Sequence, residues 1–185
     1  MTRLLLFAAL SAAASLNAAR VPPCETVVQI KAYAAQVDER IKQIKPRMFL
    51  QMDATSKWTE VKETPDAAAA VANVYVDPAG TTMAAFFSFA PAAKDWVQFA
   101  NYYFRADGTL AKKNELLNTT HGRVSVSRET LFGCQGEELK ATEQFVDLGT
   151  KHKKKRPGDD FVDQPSPVFT KVEELPFYAA LRPVR

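Results

Sequence analysis

Val74-Tyr75-Val76-Asp77-Pro78-Ala79-Gly80, Tyr102-Tyr103-Phe104-Arg105-Ala106-Asp107-Gly108 and Thr130-Leu131-Phe132-Gly133-Cys134-Gln135-Gly136 are three versions of one phrase. Each runs through strand-forming residues into a polar turn that closes on glycine, and the glycines recur at a fixed spacing (108 − 80 = 28 and 136 − 108 = 28). After each glycine comes a further strand-like run: Met83 to Ala90, Thr109 to Leu117 and Leu139 to Leu148. The residue nine places beyond the glycine is apolar every time, as Phe89, Leu117 and Phe145. This is the pattern of a hairpin, in which a glycine at positive φ lets the chain turn and return antiparallel. Asp107-Gly108 is the clearest of the three turns, consistent with a type I turn followed by a glycine bulge. Three successive hairpins predict six strands. In the strand near Gly122 to Phe132, Val124, Val126, Thr130 and Phe132 share one face, while Arg123, Ser125, Ser127 and Glu129 share the other. That alternation predicts one buried and one wet face.

Outward from the repeats, the upstream chain reads as a helix from about Glu25 to Lys45. Val27, Ile30, Ala34, Val37, Ile41 and Ile44 form one stripe at alternating steps of three and four, and Pro46 ends it. A stripe of this length is expected to dock on a sheet rather than on a partner helix. Arg47 to Glu63 looks extended, with Met48, Leu50 and Met52 alternating. Thr64-Pro65-Asp66 has the signature of a helix start, with Ala67 to Ala72 making about two turns after it. Downstream, Lys151-His152-Lys153-Lys154-Lys155-Arg156 is a basic run, answered by Asp159, Asp160 and Asp163, and Pro165 and Pro167 stiffen the chain beyond it. Val168 to Val172 reads as a short extended piece, and Pro176 opens a short terminal helix carrying Phe177, Tyr178 and Leu181. The fold expected is α+β: a long N-terminal helix packed on a curved antiparallel meander of six to seven strands, with a short C-terminal helix. A closed barrel is the alternative, disfavoured because the helix needs an open sheet face to cover.

Residues 1–19 are read as a secretory signal peptide, leaving 20–185 as a single exported domain. Arg3 supplies a basic start, Leu4 to Leu10 an apolar run, and Ser11 to Ala19 a small-residue end. Cleavage after Ala19 is preferred and cleavage after Ala14 is the rival. The apolar run is too short for a bilayer span of roughly twenty residues, and no later segment qualifies. The expected product is therefore periplasmic or extracellular, without a transmembrane span. An oxidising compartment favours pairing of the two cysteines, Cys24 and Cys134, across a loop whose closure is worth roughly 4–5 kcal/mol. Val21-Pro22-Pro23 lacks the small residue that a lipid-anchored cysteine needs before it.

The 185 residues carry a formal charge of +3, with 46% hydrophobic and 24% charged residues. The leader holds one arginine and no acid, so the mature balance is 23 − 21 = +2. Such a chain is neither disordered nor fibrous, and its charge is too even for a nucleic-acid binder. Two cysteines with two histidines make no convincing zinc set, and no cofactor is expected. No nucleophile elbow, phosphate-cradling glycine loop or HExxH is present. His121 and His152 read as solvated surface residues. Glu115, Glu129 and Glu143, with Arg105, Lys113 and Arg128 nearby, suit either a carboxylate pair for acid–base hydrolysis or ordinary cross-strand ion pairs, and the latter is favoured. Asn118-Thr119-Thr120 is a formal glycosylation triplet.

Phe86, Phe87, Phe89, Trp96, Phe99, Tyr102, Tyr103 and Phe104 load two adjacent strands with aromatics. Consecutive aromatics face opposite sides of a strand, so one side cannot hold them all. The excess predicts a ligand surface made from Phe87, Phe89, Trp96, Tyr102 and Tyr103. The competing arrangement, which is the favoured one, packs one set on the N-terminal helix and the other under the C-terminal segment. Lys151, Lys153, Lys154, Lys155 and Arg156 are read as a loop patch capable of weak contact with an anionic surface, with a solvated loop as the favoured reading. The function expected is a non-catalytic, monomeric binding module for an apolar ligand or an envelope protein. The alternative is a small exported hydrolase using a glutamate pair.

Overall fold

The computed structural model describes residues 25–63, 68–158, 160–163 and 166–182. The expected leader, Cys24 and the helix start at Thr64-Pro65-Asp66 lie outside them, as do Asp159 and Pro165. The chain is α+β: helix α1 (Val27–Ile41), then β1 (Arg47–Gln51), β2 (Thr59–Val61), β3 (Ala70–Val76), β4 (Thr82–Phe89), β5 (Trp96–Phe104), β6 (Leu110–Thr119), β7 (Val124–Phe132), β8 (Glu138–Asp147) and helix α2 (Tyr178–Leu181). All eight strands join one antiparallel sheet in the order β2-β1-β3-β4-β5-β6-β7-β8. The sheet is larger than the six to seven strands expected, because β1, β2 and the first half of β3 extend the meander upstream. No helix among the described residues is long and apolar enough to cross a membrane.

The repeat reads true in the backbone. Residues Asp77, Arg105 and Gly133 each donate N–H to the carbonyl four residues on (Thr81, Thr109 and Glu137), at 2.8–2.9 Å. Each also accepts from the glycine three residues on, at 2.9–3.0 Å. Gly80, Gly108 and Gly136 sit at φ +88°, +84° and +84°. The ladder slips at equivalent places, between Tyr75/Val76, Tyr103/Phe104 and Leu131/Phe132. Asp77 Oδ1 accepts from the Ala79 and Thr81 amides, and Asp107 Oδ1 from the Thr109 amide, which fixes two of the turns before glycine is reached.

Of the two-turn helix expected over Ala67 to Ala72, Ala67 lies outside the described residues and Ala70 to Ala72 are instead the start of β3. Packing overrides alanine's helix propensity there. Ala72 pairs between Phe49 and Phe87, Ala70 faces Phe89, Ala85 faces Tyr102, and Ala100 faces Phe87. Small and large side chains alternate across one face, so the aromatic rings lie over methyl groups and the alanines are buried.

Helix α1 is also shorter than expected, at 15 residues or about 22 Å. Thr26 caps it reciprocally with Gln29: the Gln29 amide donates to Thr26 Oγ1 at 3.3 Å, and the Thr26 amide to Gln29 Oε1 at 2.8 Å. Ile30, Ala34 and Val37 are its buried stripe, packed on Met83, Ala84, Tyr103, Ala111 and Leu131. The second face is closed by the C-terminal segment, where Val172, Leu175 and Phe177 complete a core with Phe49, Phe87, Tyr102, Phe104 and Leu110. Phe177 stacks on Phe49 with ring centroids 4.2 Å apart. Both faces are therefore partly covered, and the alternation in β7 marks two different covers rather than core and solvent. Leu131 lies under α1, while Val124 and Val126 sit with Val162.

The C-terminal segment is stitched to the β5–β6 turn: Leu110 donates to the Thr170 carbonyl at 2.8 Å and Val172 to the Gly108 carbonyl at 2.9 Å. A Cβ at Gly108 would meet only ordinary contacts, the nearest at 3.8 Å. Gly108→Ala should therefore cost about 1–2 kcal/mol, almost wholly from the left-handed backbone. Gly158→Ala, in open space at ordinary φ, should cost nothing measurable. Urea unfolding of the two variants checks this.

Candidate functional site

The five aromatics expected to line one ligand surface are divided among the covers. Phe87 and Tyr102 are buried under the C-terminal segment, with Phe89 packed partly buried beside them. Tyr103 is buried under α1, where its hydroxyl donates to Asp38 Oδ1 at 3.0 Å. Trp96 is half-buried at the far end of the sheet with Val124, Val126 and Phe145. They form cores, as the competing arrangement supposed, and no groove collects them.

The three glutamates are likewise separated. Glu129 is on the α1 face, held by Lys31 and Lys112 at 2.8 Å each. Glu115 and Glu143 share the opposite face, but Arg128 stands between them in the ladder. Glu143 is taken by Arg128 and Arg156, at 2.7 and 2.8 Å. Glu115 belongs to a buried polar knot with Lys113, Ser166 and Tyr102. Lys113 Nζ lies 3.3 Å from Glu115 Oε2, Ser166 Oγ donates to Glu115 Oε1, and the Tyr102 hydroxyl donates to the Pro167 carbonyl. Burial pushes the Lys113 amine below its ordinary range and the Tyr102 phenol above its own. Every polar atom here has a protein partner, and the knot ties Ser166 and Pro167 to the sheet. His121 is less bare than expected, with Nδ1 3.9 Å from Asp95 Oδ2.

The basic run is not a loose loop. Lys153 bridges to Val146, Asp147 donates to the His152 carbonyl at 2.8 Å, and Lys154 donates to the Phe145 carbonyl at 2.9 Å. The run thus pairs with the outer edge of β8 at its C-terminal end. Lys154 Nζ donates to the Gly122 carbonyl at 2.6 Å, and Arg156 binds both Glu143 and Asp163. Lys151, Lys153 and Lys155 stay exposed, where lysines guard a strand edge against pairing with other chains.

The open surface lies elsewhere, on the α1 side of the sheet. The helix covers the residues next to the glycine turns and stops, leaving a groove of about 420 Å³ lined by Asn73, Phe86, Ser88, Phe99, Asn101, Asn114 and Leu116. Asn73, Phe86, Asn101 and Asn114 are consecutive partners across β3, β4, β5 and β6, and so form one row. Ser88, Phe99 and Leu116 form the next. Phe99 is 38% exposed, an uncommon state for a phenylalanine in mid-strand. Among the described residues the three asparagine side chains have no protein partner, and no atom of theirs is buried unsatisfied, so their amides open to solvent. Sequence reading placed Phe99 among the aromatics but missed the row. Part of the signal was present, since Asn73 stands between Val71 and Tyr75 and Asn101 between Phe99 and Tyr103 on one face of their strands, whereas Asn114 has Lys112 and Leu116 beside it. Comparison with known proteins finds no family model, curated protein or solved structure that matches the chain.

Alkaline pH should probe the buried knot. Burial raises the Tyr102 and Tyr103 phenols above their unfolded value, so their stabilising effect is complete below about pH 10 and fades above it as the unfolded chain ionises. The lowered Lys113 amine acts oppositely, its penalty shrinking as pH rises toward its unfolded value, but it is one group against four, since burial raises the Tyr33 and Tyr75 phenols as well. Stability should therefore fall above about pH 10, and Tyr102→Phe should flatten that fall. At neutral pH the same variant should lose about 1–3 kcal/mol, because the Pro167 carbonyl loses its donor. Urea titrations at neutral and alkaline pH measure both effects.

Proposed function

We propose that this is an exported, non-catalytic binding module whose ligand lies in the groove beside α1. The observation that carries this reading is an exposed Phe99 next to Leu116, on a sheet whose other large aromatics are buried or half-buried. A shallow, mixed groove with solvent-facing amides and an aromatic wall has the composition of a ligand site, with apolar area for affinity and a few polar groups for orientation. The hydrolase alternative would need free carboxylates, and Glu115, Glu129 and Glu143 are all engaged by cations or Ser166. Charged side chains at Glu138, Lys140 and Glu143 on β8, with the basic run beside them, support a monomer.

The expected bridge from Cys24 to Cys134 belongs to the same reading. Cys134 is not a free thiol. Arg105 supplies independent support from geometry: its Nε donates to Glu25 Oε2 at 2.6 Å and its Nη2 to the Phe132 carbonyl at 2.6 Å. One guanidinium therefore holds the residue after Cys24 close to the residue two before Cys134. Intact-mass measurement after alkylation should show no modified thiol without reductant and two with it.

The groove is tested by native mass spectrometry of the protein purified from its own host. A small-molecule adduct is expected on the wild-type chain and should be lost from Phe99→Asp/Leu116→Asp at an unchanged melting temperature. An adduct kept by the double variant, or none on the wild type, overturns the assignment.

A further inference from the structure

Taking the groove as the binding surface, we infer that its ligand is an uncharged, hydroxyl-rich chain, a neutral oligosaccharide, lying across the strands. The inference deepens the proposed function and rests on it. Three features choose the chemistry. The first is the row itself. Asn73, Asn101 and Asn114, with Phe86 between the first two, span three interstrand steps of about 4.8 Å, roughly 14 Å in all. A side-chain amide offers two donors and an acceptor with two lone pairs, so a line of them matches groups that both donate and accept, as hydroxyls do. An acyl chain would leave all three amides unpaired and desolvated, each at a cost.

The second feature is the neighbouring row. Phe99 and Leu116 lie beside the amides, with Ser88 on the adjoining strand. A ligand lying across the strands would rest an apolar face on Phe99 and Leu116 and turn a polar edge to the asparagines. A sugar ring has both, a C–H face that packs on an aromatic and a rim of hydroxyls.

The third feature is charge. Among the described residues Glu115 is the one charged residue that borders the groove, and its carboxylate is turned to the opposite face with Lys113 and Ser166. The amide row ends at Glu129, the next partner of Asn114, whose carboxylate holds both Lys31 and Lys112; the three together carry one net positive charge, but both ammonium groups are turned to Glu129 and neither lysine lines the groove. Nothing in the groove is placed to hold an anionic or cationic ligand. An extended peptide would satisfy amides as well, but it adds along a sheet edge through its backbone, whereas this groove lies on a face whose backbone groups are all in the ladder.

The test monitors the asparagine side-chain amide signals by NMR on the full mature chain. The probes are uncharged hexasaccharides (cello-, xylo-, malto- and chito-), polygalacturonate, lysophosphatidylcholine and an extended Gly/Ser-rich peptide. At least one neutral hexasaccharide should shift the Asn73, Asn101 and Asn114 amides. Asn101→Ala and Asn114→Ala should each weaken that binding about tenfold, the loss of roughly one hydrogen bond, without lowering the melting temperature. Equal binding of polygalacturonate would overturn the uncharged assignment. Shifts with lysolipid or peptide alone would overturn the sugar assignment and leave the groove standing. Silence with every probe would remove both.

Discussion

The structure depends on how aromatic rings are fitted between alanines on one face of the sheet. Phe49, Phe87, Phe89 and Tyr102 are too large to sit beside one another on adjacent strands, and Ala70, Ala72, Ala85 and Ala100 are the partners that make room. Phe87 lies within ring-contact distance of Trp58, Phe89, Tyr102, Phe169 and Phe177, so one side chain ties β4, β5 and the segment before β2 to the C-terminal segment. Enlarging any of these alanines would lift the cover from the sheet, because close-packed interiors absorb extra methylenes poorly.

Both faces of an eight-stranded sheet need covering, and the chain has little left with which to do it. The C-terminal segment suffices for one face because it is pinned by main-chain hydrogen bonds at Gly108 and Leu110 and by the knot around Lys113. Helix α1 is too short for the other, and the area it leaves bare carries asparagine and serine where core residues would otherwise stand. Those polar residues let the uncovered area meet water although Phe99 and Leu116 stand beside them.

The three glycine turns were legible in the sequence, because a glycine at positive φ is demanded by local geometry alone; the ladder slips beyond them, at Met83, Ala111 and Leu139, were not. The stripe of α1 and the terminal turn at Phe177 were legible for similar reasons. Ala70 and Ala72 misled, since their role is set by Phe49, Phe87 and Phe89 on other strands, and no local pattern records that. The basic run misled in the same way: Lys153 and Lys154 reach β8 by main-chain pairing that their side chains do not announce. For the candidate site, the aromatic surplus was visible, yet which rings would be covered depended on register. Phe99 and Phe87 differ in fate because they point to opposite faces.

The two covers come from opposite ends of the chain, and this gives the molecule a sense of time. During synthesis, α1 emerges before the sheet, with Ile30, Ala34 and Val37 bare until Tyr103, Ala111 and Leu131 have followed. The hairpins close as they appear, each from its own neighbouring residues. Phe177 arrives last, and only then is the aromatic floor sealed. A chain interrupted before its final ten residues would hold a nearly complete ladder with its largest apolar face still open, the kind of species that chaperones meet.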